Sequence, residues 1–139
     1  MTTAIYAPAA ERQANAVLAF FPGYAAAHSC GAALASARAI LDEIDHFQYE
    51  GIGVNAGIAL HYGEVSYGNV GSGRRLDFTL IGRDVNLVSR IQTACSELSE
   101  PLLMSAPFCQ EAGAGDVVSV GAHGLKGFAD PVELFTIVR

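Results

Sequence analysis

The stretch Gly63–Ile91, GEVSYGNVGSGRRLDFTLIGRDVNLVSRI, decides how the chain is read. From about Arg83 to Glu97 the apolar positions Val85, Leu87, Val88, Ile91, Ala94 and Cys95, with Leu98 just beyond, recur with helical periodicity. Asp84 falls in the first turn, where a carboxylate complements the helix dipole. Asn86 and Arg90 are four residues apart, so at 3.6 residues per turn they lie within about 40° of each other. Leu87, Ile91, Ala94 and Leu98 cluster roughly 80° to 140° away from Asn86, which turns the apolar stripe and the Asn/Arg pair in different directions. The pair is thereby free to meet a ligand or another subunit. An amide that orients and a guanidinium that binds phosphate oxygens bidentately suit a phosphoryl-type transition state. On spacing alone, a solvated helix face with an ordinary salt bridge is the commoner occurrence.

Working outward, Ile52–Leu60 and Glu64–Val70 are two β-rich runs expected to form a hairpin around Tyr62-Gly63. A glycine-rich loop, Gly71–Arg75, leads to a strand over Leu76–Ile81. Upstream, Asn15–Phe21 (NAVLAFF) is short, apolar and closed by Pro22-Gly23, the pattern of a buried strand. Thr3–Tyr6 can pair with it as a hairpin arm, with Pro8–Gln13 as the loop. Leu34, Ala37, Leu41 and Ile44 place a long helix with a small-residue packing face over Tyr24–Phe47. Downstream, short strands are expected at Leu102–Met104, Val117–Val120 and Val132–Val138. The elements sum to an α+β fold with helices on one face of a mainly antiparallel sheet.

A chain of 139 residues with 51% hydrophobic and 16% charged residues fits one domain with one core and is the opposite of a disordered composition. So apolar a chain is expected to hide surface in a dimer. Net charge is −6 with only 8 Lys plus Arg, scattered, which excludes the basic stripe of a nucleic-acid binder. No stretch approaches the roughly 18 apolar residues of a membrane span, and no secretory leader pattern opens the chain. Cys30, Cys95 and Cys109 are odd in number and unpaired in spacing, the expectation for free thiols in a reducing, cytoplasmic compartment. His28, His46, His61 and His123 have no ligand spacing and are expected to be surface or satisfied core residues. Gly68, Gly71 and Gly73 match neither phosphate-loop fingerprint and are read as a hairpin turn.

Three segments taken together, GEVSYGNVGS, FTLIGRDVNLVSRI and GLKGFADPVELFTI, are similar in order and spacing to class III adenylate and guanylate cyclase catalytic domains. NAVLAFFPG resembles the family strand that follows its Gly-Asp turn, so the likeness runs from about Asn15 to Arg139. The resemblance implies a ferredoxin-like class III cyclase fold, incomplete at its front end, with residues 1–139 as a single domain. It also implies a homodimer, or a pairing with another cyclase chain, that converts ATP to 3′,5′-cyclic AMP and pyrophosphate with Mg²⁺ or Mn²⁺ at the subunit interface. By position, Asn86 resembles the asparagine that orients the ribose and Arg90 the arginine that stabilises charge on the α-phosphate. Thr79 sits where the family places its base-recognition residue, and a hydroxyl there favours ATP over GTP. Lys126 falls at the position of a basic residue near the terminal phosphates.

The departures from the family pattern carry equal weight. The family holds its two metals with one aspartate on the first strand and one in the Gly-Asp turn, and here Ala14-Asn15 occupies that turn. Glu11 is the only acidic residue before Asp42, the family's base-selecting lysine is not visible, and the strand and helices that come first in the family have no counterpart. The expectation is a chain that does not by itself cyclise nucleotides at a useful rate. Its alternative role is that of a catalytically inactive homologue serving in nucleotide binding, dimerisation or regulation.

Overall fold

The structure, a computed structural model, describes residues 2–9, 15–23, 25–53, 55–64, 66–70 and 77–138, of which 2–9, 15–16, 49, 66–70 and 77–81 are described by their backbone. Ten strands and three helices follow in chain order among these residues. Strand β1 (Thr2–Ala9) turns back into β2 (Asn15–Pro22), and helix α1 (Ala26–His46) follows. Two-residue strands β3 (Gln48–Tyr49) and β4 (Ile52–Gly53) form a minimal hairpin. Then come β5 (Ile58–Gly63), β6 (Ser66–Val70), β7 (Asp77–Ile81), α2 (Arg83–Glu97), β8 (Leu102–Ser105), α3 (Ala106–Ala112), β9 (Val117–His123) and β10 (Val132–Ile137).

Six strands make one sheet in the order β2-β1-β5-β8-β10-β9. Every neighbouring pair is antiparallel except β5 and β8. The fold is therefore α+β with a mainly antiparallel sheet, as the sequence implies. The expected hairpin of Thr3–Tyr6 with NAVLAFF is present but longer, with Ala9 opposite Asn15; the tip of its loop, residues 10–14, lies outside the described residues. β1 takes an interior place, flanked by β2 on one side and β5 on the other.

Strands β5 and β8 are buried along their length because both faces of the sheet are covered. Ile58, Leu60, Tyr62, Leu102 and Met104 point to one core with α1 and with Phe108 of α3. The alternating residues Ala59, Leu103 and Leu134 point to a second core with Val88, Ile91, Ala94 and Cys95 of α2. This corrects the expectation of helices on one face. β5 reads IALHYG, and such a run demands cover on both sides. On α1 the buried residues Cys30, Ala33, Leu34, Ala37 and Leu41 recur at helical spacing, and three of the five are Ala or Cys, which lets the helix sit close to the sheet.

A second correction concerns the hairpin expected around Tyr62-Gly63. β5 pairs with β1 and β8, whereas β6 pairs with β7, Gly68 opposite Thr79, in a separate two-stranded sheet. Alternation identifies a strand but does not choose its partner, and two interior neighbours already occupy both edges of β5. Ile52-Gly53 belongs to the β3–β4 hairpin, whose turn holds Glu50 and Gly51 at positive φ. The expected glycine-rich loop, Gly71–Arg75, lies outside the described residues.

Candidate functional site

Helix α2 carries the candidate residues, and its docking explains where they point. Val88 and Ile91 are fully buried, Ala94 and Cys95 nearly so, and Leu87 and Leu98 pack at the margin of the same core. Asn86 and Arg90 are exposed on the remaining face, as their spacing predicts. Gly82 precedes the helix with φ of 145°, a backbone conformation that favours glycine, and its carbonyl accepts a hydrogen bond from the Asn86 backbone N–H at 3.2 Å.

Asn86 and Arg90 line a cleft of about 730 Å³ together with Gly82, Arg83, Val85 and Ser89 of α2 and its approach, and Lys126, Gly127 and Phe128 of the loop between β9 and β10. The structure thus brings Asn86, Arg90 and Lys126 together, although Lys126 is remote in sequence. Thr79 lies on β7, opposite Gly68 of β6, and its backbone alone is described. Arg83 was not singled out by sequence. Its guanidinium carbon stands 4.9 Å from the centroid of the Phe128 ring, a cation–π contact that ties the loop to the start of α2. A basic residue opening the helix and an aromatic closing GLKGF are visible in sequence, but nothing local joins them.

Arg83, Arg90 and Lys126 are three of the chain's eight Lys and Arg residues, gathered in one cleft of a protein with net charge −6. Such a concentration of cations suits a polyanion, and guanidinium groups match phosphate oxygens in geometry. Cleft size also falls within the range of about 300–1,000 Å³ common for small-molecule sites.

The described residues do not fit a pair of divalent ions. Mg²⁺ and Mn²⁺ require oxygen ligands, chiefly carboxylates. Strand β1, between β2 and β5, reads TTAIYAPA and has none. Glu11 lies outside the described residues, and among the described residues no group of three or more His, Cys, Asp or Glu side chains could hold a metal.

A second polar cluster, missed by sequence, lies beneath the start of α2. His61 of β5 and Ser105 of β8 are buried, 4% and 1% exposed. His61 Nδ1 is 2.6 Å from Ser105 Oγ, and Nε2 is 2.7 Å from Asp84 Oδ1. Asp84 Oδ2 accepts a hydrogen bond from the Glu64 backbone N–H at 2.9 Å. The expectation of a satisfied core histidine describes His61 correctly. His46 Nδ1 and His123 Nε2 likewise hydrogen-bond backbone carbonyls, of Asp42 at 2.7 Å and Val120 at 2.8 Å.

Comparison with solved structures places this architecture. The guanylate cyclase domain of RhGC from Catenaria anguillulae, solved with GTP, superposes with a TM-score of 0.81 at 15% identity, covering 99% of this chain and 95% of that one. The adenylyl cyclase CyaB from P. aeruginosa gives 0.74 at 19% identity, over 99% and 93%. The chain has the fold of a class III nucleotidyl cyclase catalytic domain. A bacterial light-regulated adenylyl cyclase shares this cyclase fold with a TM-score of 0.78 at 19% identity, over 98% of this chain and 50% of its own.

An uncharacterised protein of Mycobacterium tuberculosis is 36% identical over 105 residues, 73% of this chain and 19% of its own length. The photoactivated adenylate cyclase subunit beta of Euglena longa is 40% identical over 81 residues, 55% of this chain and 9% of its own. The chain therefore spans about a fifth or less of the curated relatives it matches. No family model matches it. No helix among the described residues is long and apolar enough to cross a membrane.

Proposed function

We propose that this chain is an adenylate cyclase-type domain that contributes one half of a nucleotide site formed between two chains. In the reaction, the 3′ hydroxyl of ATP attacks the α-phosphate to give 3′,5′-cyclic AMP, and pyrophosphate leaves. The observation that carries this reading is the meeting of Asn86, Arg90 and Lys126 in one cationic cleft on the cyclase fold. The Asn86 amide orients the ribose. The Arg90 guanidinium hydrogen-bonds the α-phosphate oxygens as their charge grows, which lowers the barrier because the donor is already in place. Lys126 meets the terminal phosphates, and Thr79 exchanges hydrogen bonds with the adenine amino edge. Because the cleft faces outward, the partner is a second copy of this chain or another cyclase chain in the cytoplasm.

The absence of carboxylates on β1 favours a second reading, a catalytically inactive homologue that binds nucleotide, dimerises, or lends Asn86 and Arg90 to a metal-bearing chain. One experiment separates the two. The purified chain is assayed for cyclic AMP with Mg²⁺ or Mn²⁺, alone and mixed with an intact cyclase subunit substituted at its own Asn and Arg positions. Enzyme-like rates alone support the full cyclase, restored activity in the mixture supports the donor role, and silence in both rejects both catalytic roles.

A further inference from the structure

Helix α2 must be held in register as well as buried, because a helix docked by an apolar stripe alone gains little directional restraint from its non-directional contacts. Its seam with the sheet is apolar over Val88, Ile91 and Ala94, carries one weak thiol hydrogen bond from Cys95 Sγ to the Ile58 carbonyl at 3.5 Å, and turns strongly polar at the first turn, where Asp84 meets His61 and, through it, Ser105. His61 and Ser105 lie one step beyond the parallel pairing of Leu60 with Met104, so the two strands present them side by side under the helix.

The neutral Nε2–H tautomer of His61 satisfies every group. Nε2–H donates to Asp84 Oδ1, and Nδ1 accepts the Ser105 hydroxyl proton. Asp84 Oδ2 takes the Glu64 N–H, which fixes the end of β5 to the same carboxylate. The trio shares its residue types with a nucleophile–base–acid triad, but its attachment is reversed: serine meets Nδ1 and the carboxylate meets Nε2, whereas a hydrolytic triad has the opposite pairing. Ser105 is 1% exposed and lines neither the cationic cleft nor the groove between Asn55 and Pro101, so neither of these openings presents it to a substrate.

We propose that Ser105, His61 and Asp84 form a buried brace that sets the position of Asn86 and Arg90, with His61 as a positioning residue for the cleft. Asp84 is two residues from Asn86 and on the same first turns of α2. A shift of the helix along or about its axis moves both cleft residues together, and a misplacement of about 1 Å can cost about a hundredfold in rate. This rests on the nucleotide reading of the cleft.

The test compares His61→Asn with His61→Gln. Glutamine keeps an N–H donor near the Nε2 position for Asp84, while asparagine reaches only the Nδ1 side. Two quantities are read on the folded protein: amide hydrogen exchange along α2, and calorimetric affinity for α,β-methylene ATP with Mn²⁺. In His61→Asn, exchange at Asn86 and Leu87 is expected to rise at least tenfold while that at Ile91 and Cys95 holds, and affinity falls about tenfold. His61→Gln keeps both within about twofold of the unsubstituted protein. In an Arg90→Ala background, His61→Asn causes no further loss of affinity. Equal losses in the two His61 variants, or faster exchange with unchanged affinity, overturn the brace. An unsubstituted chain that binds no analogue, alone or mixed with the intact cyclase subunit substituted at its own Asn and Arg positions, overturns the nucleotide reading instead, and the positioning role falls with it; unchanged exchange in His61→Asn with binding intact overturns the brace alone.

Discussion

Gly63 and Asp84 stand so close that a methyl group on Gly63 would lie 2.6 Å from Asp84 Oδ2 and 2.7 Å from Oδ1. The last residue of β5 is thus glycine because the carboxylate of α2 fills the space of a side chain. Gly63→Ala must displace Asp84, the group that links His61 and the Glu64 amide. Overpacking of this kind costs about 1–3 kcal/mol. Urea denaturation should show a loss in that range, and an unchanged midpoint would mean that Asp84 moves aside freely.

Asn86 and Arg90 are exposed, so alanine at either position should leave stability within about 0.5 kcal/mol. Each should nevertheless lower cyclic AMP formation in the complementation mixture about a hundredfold or more, the scale seen when a pre-placed donor to a transition state is removed. Lys126→Ala should weaken nucleotide binding less and make it less sensitive to salt, since a cation exposed at the cleft acts through screened attraction.

Phe108 is the largest fully buried side chain among the described residues and joins α3 to the core shared with α1. Phe108→Ala should cost about 3–5 kcal/mol through lost transfer energy and an unfilled cavity. Thermal unfolding with the cleft variants as controls would measure it. A loss below about 1 kcal/mol would show that α3 repacks.

Burial pushes the Cys95 thiol up to about 12 and the Cys109 thiol up to about 11. The reactive thiolate is therefore scarce at pH 8. In the folded protein both should resist alkylation at pH 8, with Cys30 shielded by burial, while all three cysteines react in denaturant. Rapid labelling of Cys95 without denaturant would contradict the burial of the α2 seam.

Arg38 on α1 contacts both carboxylate oxygens of Asp116, at 2.9 and 2.8 Å. The hydrogen bond from Arg38 lowers the Asp116 pKa below its ordinary value. A carboxylate with a lowered folded pKa contributes stability above its unfolded pKa and loses it as pH falls through the folded one. Arg38→Ala should therefore lower stability slightly at pH 7, and the difference from the unsubstituted protein should vanish in strong acid. Denaturation midpoints measured at both pH values check the sign.

Helix α2 was legible to its ends because its apolar period, its leading glycine and Asp84 agree with one another. Helix α3 was missed, although Ser105 stands before it, Pro107 in its first turn and Gly113 at its end, because seven residues carry too little periodicity to stand out. Strand positions were readable, but partners were not: β6 alternates equally well against β5 or β7. Spacing alone turned Asn86 and Arg90 outward. The presence of Lys126 in the same cleft followed only from resemblance, since the approach of the β9–β10 loop to α2 is a tertiary fact. The contacts of His61 with Asp84 and Ser105 had no local signal at all, being 23 and 44 residues apart in the chain.

Strand β1 connects β2 to the rest of the sheet, with Thr2 opposite both Pro22 and Gly63. The hairpin with β2 is local and can form early, but its docking on β5 must wait for residues far along the chain. During synthesis the hairpin leaves the ribosome long before its acceptor, and two complementary strand edges stay open in the interval. A slow docking step at the β1–β5 joint would favour exchange of the β1–β2 hairpin between neighbouring chains.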